Sequence, residues 1–182
     1  MNTSYFLLGA LALVALLLIG FYNGFVSRRS AVENAFASLD ANLQKRFDLI
    51  PNLVATVQGT AAHEKQTLQA LSQLRAQSQT PQSRLQNDGA SAQLVGAVLA
   101  LAESYPDLKA SANFLHLGRT LNEIEEQISA SRRAFNAAVS AYNTSLESFP
   151  GNFFAPLWGF ARRDFFATDE ASHQAPDLRG KF

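Results

Sequence analysis

Histidine and glutamate side chains are the first candidates for chemistry, since both bind metals and transfer protons. The sequence has three histidines: His63, His116 and His173. A zinc site on a helix needs ligands three or four residues apart. Glu64 follows His63 directly, His63 and His116 have no partner at that spacing, and His173 lies in the polar tail. The spacing therefore predicts no metal site, and the absence of cysteine excludes thiolate ligands and thiol catalysis.

A group of glutamates lies close in sequence to two arginines. Glu123, Glu125 and Glu126 precede Arg132 and Arg133. Paired carboxylates perform acid–base catalysis when a pocket raises the pKa of one of them, but ion pairs along one helix explain this pattern more simply. The sequence also lacks a glycine-rich phosphate loop and a G-x-S-x-G nucleophile motif. We therefore predict a protein that is not an enzyme and uses no cofactor or small-molecule substrate.

A polar cluster around one proline is the sharpest candidate site. Its residues are Arg46, Asp48, Pro51, Asn52, Asn113, Asn136 and Asn143. Pro51 has no N–H, so the carbonyl of Phe47 loses its helical hydrogen bond. We expect a side-chain amide of Asn52, or one from a facing helix, to replace that bond, and Pro51 either kinks or breaks its helix. In a functional interpretation the same cluster forms a groove that docks a partner protein.

The elements that carry these residues are predicted to be helices. Apolar residues recur at steps of three and four from Val26 to Leu74 and again from Phe114 to Phe149, which is the seam pattern of packed or coiled-coil helices. Valine and isoleucine are scarce, which argues against strands. We predict an all-α fold, a long antiparallel helical bundle with a loop at 77–89.

The predicted order of segments is a short N-terminal tail (1–4), a transmembrane helix (5–25), a helical bundle (26–149), an aromatic-rich segment (150–166) and a polar tail (167–182). The formal net charge is zero. Nucleic-acid binding requires an excess of Lys and Arg to displace counterions from phosphate. The charge balance therefore argues against a nucleic-acid partner.

The first 27 residues carry no charge, and the apolar run from Tyr5 to Tyr22 has 18 residues. As a helix this run is about 27 Å long, close to the hydrocarbon thickness of a bilayer. The predicted membrane-interface residues are Tyr5, Tyr22, Phe25, Arg28 and Arg29. Because basic residues favour the cytoplasmic side, we predict a single-pass cell-membrane protein with an external N-terminus and a cytoplasmic C-terminal domain. A cleaved signal peptide would need a basic start and a small-residue cleavage site before Arg28, and neither is present.

Two segments of the sequence each allow two interpretations. Gly20 and Gly24 have a G-x-x-x-G spacing at the exit of the span; it permits close helix approach or reflects interfacial flexibility, which we favour. Residues 149–166 combine many aromatic rings with Arg162 and Arg163. Such a segment lies at a membrane interface or packs its rings onto the end of the bundle, and we favour packing.

Several short motifs, in consistent order after the span, resemble the LemA family. They are Asp48 to Val54 after Leu43, Lys45, Arg46 and Phe47; Ala62-His63-Glu64; Tyr105 to Lys109; Asn113-Phe114; Phe135-Asn136; Tyr142-Asn143; Phe149-Pro150; and Gly159-Phe160. Phe47 and Phe135 stand where the family commonly has tyrosine, which preserves the aromatic ring. The resemblance implies one N-terminal membrane helix, a small external N-terminus and a helical-bundle domain, in proteins linked to the bacterial envelope and, in one branch, to membrane organelles.

Two functional hypotheses follow for this chain. In the first it is a membrane-anchored scaffold whose partners are the lipid bilayer and further copies of itself. In the second it is an adaptor that presents a helical groove to another envelope protein, such as a signalling, protease or transport partner.

Overall fold

The computed structural model describes residues 2–58 and 65–166, and the regular elements within these two ranges are all helical. The predicted all-α fold is therefore confirmed. The helices are α1 (Asn2–Gln58), α2 (Lys65–Gln77), α3 (Pro81–Gln86), α4 (Asp88–Leu101), α5 (Pro106–Lys109), α6 (Ala112–Glu147) and α7 (Gly151–Leu157). A 3-10 turn, Ala102–Ser104, joins α4 to α5.

The N-terminal part of α1 exposes its apolar side chains. Large side chains along it, such as Phe6, Leu11 and Leu16, lie on the surface. Within the described ranges, α1 is the one helix long and apolar enough to cross a membrane. A water-soluble protein buries an apolar surface of this size, whereas a helix that spans a bilayer exposes it to lipid.

The chain forms two compact units, a terminal unit (residues 1–35 and 133–182) and a central unit (36–132). The core of the terminal unit contains Phe25, Val32, Val139, Tyr142, Leu146, Ala155 and Phe160. The larger core of the central unit contains Phe47, Ile50, Leu53, Val54, Val57, Leu68, Leu71, Val95, Val98, Ala102, Leu108, Phe114 and Leu121. Most of these residues belong to the apolar repeats of the sequence, so the repeats mark the buried helix faces.

Helix α1 continues through Pro51 to Gln58 without a break. The carbonyl oxygen of Phe47, which Pro51 leaves without its helical donor, accepts a hydrogen bond from Nε of Arg75 at 3.2 Å. The donor therefore comes from the facing helix α2. It is a guanidinium and not the amide of Asn52, which is exposed.

The segment predicted to be a loop at 77–89 contains α3 and the start of α4, so that prediction was wrong. The reason is local. The hydroxyl of Thr80 accepts a bond from the backbone of Ser83, the hydroxyl of Ser83 accepts one from the backbone of Thr80, and Pro81 occupies the first turn. This capping box satisfies the free N–H groups of a short helix without apolar periodicity.

Candidate functional site

The central unit contains a buried group of charges, which we call the arginine clamp: Arg46, Asp88, Glu125 and Arg132. Arg46 is 1% exposed and Asp88 is 2% exposed. One carboxylate oxygen of Asp88 accepts from Arg46 and the other from Arg132. Nη1 of Arg46 also donates to Oε2 of Glu125 at 2.8 Å. Buried charges are tolerated only when they are paired in this way, so the clamp ties α1, α4 and α6 together.

The position of Asp88 at the start of α4 explains why one carboxylate serves two arginines. A negative charge at the first turn complements the positive end of the helix dipole. The backbone carbonyl of Asp88 accepts from Nη2 of Arg46 at 2.9 Å and from the hydroxyl of Ser91 at 3.1 Å. Both the carboxylate and the backbone carbonyl of Asp88 are thus occupied by hydrogen bonds within the protein, so we assign Asp88 a structural role. Sequence reasoning singled out Arg46 but missed Asp88, because it assigned residue 88 to a loop.

A second ion pair joins α1 to α3 in the same unit. Arg84 donates to the two carboxylate oxygens of Asp40 from Nε at 2.8 Å and from Nη2 at 2.7 Å. The side-chain hydrogen bond to Asp40 raises the pKa of Arg84 above its ordinary value, against the opposing effect of burial. The bidentate geometry fixes the orientation of the Arg84 guanidinium.

The polar cluster predicted from the sequence is divided in the structure. Arg46 belongs to the arginine clamp, whereas Asp48, Asn52 and Asn113 are exposed on the central unit. Asn136 and Asn143 lie in the terminal unit. The structure brings the last two together with the C-terminal segment.

That C-terminal segment, residues 161–166, is held by side chains of α6. Asn143 accepts from the backbone N–H of Arg163 at 3.0 Å and donates to its carbonyl at 2.8 Å. Asn136 pairs in the same way with Phe166, at 2.9 and 3.2 Å. Seven helical residues rise about 10.5 Å, and three extended residues span about 10 Å. The two spacings match, so two amides on one helix face bind the segment at two points.

Four rings of the terminal unit form what we call the aromatic cap: Tyr22, Phe25, Trp158 and Phe160. The ring centroids of Tyr22 and Trp158 are 5.6 Å apart, and those of Phe25 and Phe160 are 5.4 Å apart. The guanidinium carbon of Arg29 lies 5.4 Å from the centroid of the Phe160 ring, within reach of a cation–π interaction. The cap fastens the end of α7 to the part of α1 where the apolar run ends.

A glycine after α7 directs Phe160 into this cap. Gly159 has a φ of 74°, a left-handed conformation that favours glycine. The N–H of Phe160 donates to the carbonyl of Ala155 at 2.9 Å, and that of Gly159 to the carbonyl of Pro156 at 3.2 Å. This pair of bonds is the Schellman arrangement that ends a helix. The Gly159-Phe160 motif is therefore a helix stop that returns a ring to the core.

The predicted membrane-interface residues have different environments. Tyr5 and Tyr22 are exposed, as are Arg28 and Arg29. Phe25 is 3% exposed, so it packs within the protein instead of facing lipid. His116 is exposed, whereas His63 and His173 lie outside the described residues. In the described part of the chain, no group of three His, Asp or Glu side chains is arranged to hold a metal ion.

The fold and these sites define a membrane-associated, all-helical protein with one apolar N-terminal helix and a domain fastened by buried ion pairs. The family model of the LemA family matches residues 35–179. The chain belongs to the LemA family, which confirms the resemblance found in its motifs.

Curated relatives extend the comparison to named proteins. The chain is 27% identical to the magnetosome protein MamQ 2 of Paramagnetospirillum magneticum, over 87% of this chain and 69% of the relative. It is 24% identical to the magnetosome protein MamQ of Magnetospirillum gryphiswaldense, over 87% of this chain and 70% of the relative.

Proposed function

We propose that this chain is a non-enzymatic scaffold, anchored in the bacterial cell envelope, that binds further copies of itself. The observation that carries the proposal is an open groove of about 310 Å³ in the terminal unit, lined in part by Gly20, Gly24 and Gly151. A Cβ atom added at Gly20 would meet no atom within 4 Å. Gly20 and Gly24 lie within the continuous helix α1, which favours close helix approach over interfacial flexibility as the reason for their spacing. A glycine surface at the end of a membrane helix lets a second helix approach closely.

The distribution of charge supports a structural role over a catalytic one. Asp88 holds two arginines, and Arg84 is bound by both oxygens of Asp40. Catalytic carboxylates instead face a substrate pocket that tunes their pKa. The buried charges of the central unit therefore stabilise the domain.

The relatives bear on where such a scaffold works. MamQ proteins are magnetosome proteins by name, and by analogy we propose that this chain marks or shapes a patch of bacterial membrane.

Arg28 and Arg29 favour a cytoplasmic C-terminal domain under the positive-inside rule. A C-terminal fusion to green fluorescent protein should then fluoresce, and a fusion to alkaline phosphatase should be inactive; the reverse pattern would contradict this orientation.

The experiment that tests self-association is in-membrane crosslinking of the full-length protein, followed by mass spectrometry and by sizing of the detergent extract. We expect crosslinks between copies of this chain in one discrete large species. Gly20→Leu should reduce that species several-fold. Gly9→Leu is the matched control, because Gly9 is also exposed in the apolar run and has open space around it.

An adaptor function is the second candidate, favoured by a polar depression of about 90 Å³ in the central unit beside Asp48, Arg75 and Arg84. Capture of one other envelope protein at comparable stoichiometry, lost in Asp48→Lys, would favour the adaptor over the scaffold. A monomer without crosslinks would contradict both.

A further inference from the structure

Helix α7 is fixed against the part of α1 where the apolar run ends. Trp158 contacts Tyr22 in the aromatic cap. At the other end of α7, a Cβ atom at Gly151 would lie 2.1 Å from the carbonyl oxygen of Ser145 and 3.2 Å from the ring of Phe25. Contacts at both ends therefore place α7 at the level of residues 20–25.

One face of α7 and of the residue pair before it is apolar and exposed. Phe149 is 89% exposed, Phe153 is 66% exposed and Leu157 is 70% exposed. Phe153 and Leu157 are four apart within α7, so they share one side of that helix. Phe149 lies just before α7, which begins at Gly151. Gly151 and Ala155 are buried on the other side. The helix is thus two-faced, with its larger apolar side chains directed outward.

The level of this face along α1 indicates that it contacts the lipid headgroup layer. The run from Tyr5 to Tyr22 matches the thickness of a bilayer's hydrocarbon, so residues 20–25 lie where the chain leaves the hydrocarbon. Aromatic rings are favoured at that depth, in the headgroup layer. Phe149 lies close to the end of the apolar run, since Phe149 and Phe21 line the same groove.

Charge around the face agrees with a lipid surface. Arg28 is exposed and lines the groove that also contains Phe149. Arg163 is exposed as well, whereas Arg162 is paired with Glu147 at 2.8 Å. Arginine side chains next to an apolar helix face bind anionic headgroups.

We infer that α7 is an interfacial anchor, whose exposed face of Phe149, Phe153 and Leu157 lies in the headgroup layer of the leaflet through which α1 leaves the membrane. The anchor is a second membrane contact, separate from the span. It holds the terminal unit against the bilayer surface, and it does not depend on self-association.

The absence of cysteine allows a direct test with single-cysteine variants. Phe153→Cys in the full-length protein is spin-labelled in vesicles of phosphatidylcholine and phosphatidylglycerol, and its accessibility to oxygen and to a water-soluble nickel chelate is measured. Asn152→Cys is the matched control, because Asn152 is exposed on the same helix but on a different side.

We expect the ratio of oxygen to nickel accessibility to be several-fold higher at residue 153 than at residue 152. Equal ratios would place the face in water and overturn the inference. Low accessibility to both reagents with spin–spin broadening at residue 153 would also overturn it, since it would show a contact between copies. The crosslinked species expected for the scaffold should be unchanged in both cysteine variants. A failure of the anchor inference can therefore be distinguished from a failure of the self-association proposal.

Discussion

Removal of the Asp88 carboxylate should destabilise the central unit more than any single surface substitution. In Asp88→Ala, Arg46 loses its buried partner, although it keeps Glu125. Arg132 loses its ion pair with Asp88 in the same step. The variant therefore leaves the buried positive charge of Arg46 with Glu125 as its remaining partner.

The magnitude follows from the burial of the pair. Breaking a buried ion pair by removing one partner costs about 3–5 kcal/mol. The carboxylate of Glu125 is partly exposed, with 42% of its side chain accessible, so it compensates Arg46 only weakly. We expect a loss of about 3 kcal/mol in the free energy of unfolding, at the lower end of that range, because Arg46 keeps one partner.

Hydrogen exchange measured by mass spectrometry on the full-length protein in detergent reports this loss locally. Amide hydrogens of α4 that exchange only when the central unit unfolds should exchange on the order of 100-fold faster in Asp88→Ala than in wild type. Glu126→Ala is the control, since Glu126 is an exposed carboxylate of α6. A surface substitution of this kind changes stability by less than about 0.5 kcal/mol.

A double variant separates the ion pair from other effects of the substitution. Arg46→Met removes the most buried charge, so Asp88→Ala should cost less in that background than alone. If Asp88→Ala raises α4 exchange less than about fivefold, or if its effect simply adds to that of Arg46→Met, then the charges are not coupled and our account of the clamp is incorrect.

Three further substitutions test the packing of single sites. Gly151→Ala should lower the free energy of unfolding by about 1–3 kcal/mol, because the new Cβ overlaps a backbone carbonyl. The fluorescence spectrum of Trp158, the one tryptophan, should shift, and an unchanged spectrum and stability would contradict the close approach. Asn143→Ala removes both bonds to the backbone of Arg163, so limited proteolysis should cut the C-terminal segment several-fold faster than in wild type; an equal rate would show that the amide does not hold it. Pro51→Ala restores a helical N–H donor within an unbroken α1. Because the carbonyl of Phe47 already accepts a bond from Arg75, the free energy of unfolding should rise by less than the roughly 3 kcal/mol that separates proline from alanine in a helix. A urea midpoint below that of wild type would show that the proline is required.

Local signals in the sequence were enough to predict most of the helices and the long apolar N-terminal segment. The uncharged apolar run identified the N-terminal part of α1, and the repeats at three and four residues identified the faces that carry Leu39, Val57 and Ile128, all fully buried. Such periodicity is local, because each helix must bury one face whatever its partner is. The helix α3 was missed although its capping residues are present, since a six-residue helix has no room for apolar periodicity.

Partners across the fold were decided by tertiary structure alone. The sequence marked Arg46, Asn136 and Asn143 as notable polar residues, but it assigned them to one cluster near Pro51. The structure pairs Arg46 with Asp88, 42 residues away, and each asparagine with backbone in the C-terminal segment. Ion pairs and hydrogen bonds depend on distances of about 3 Å, which only the packing of helices determines. The sequence by itself therefore determined the helical class, the long apolar N-terminal helix and the family, whereas packing decided which charges meet and which rings remain exposed.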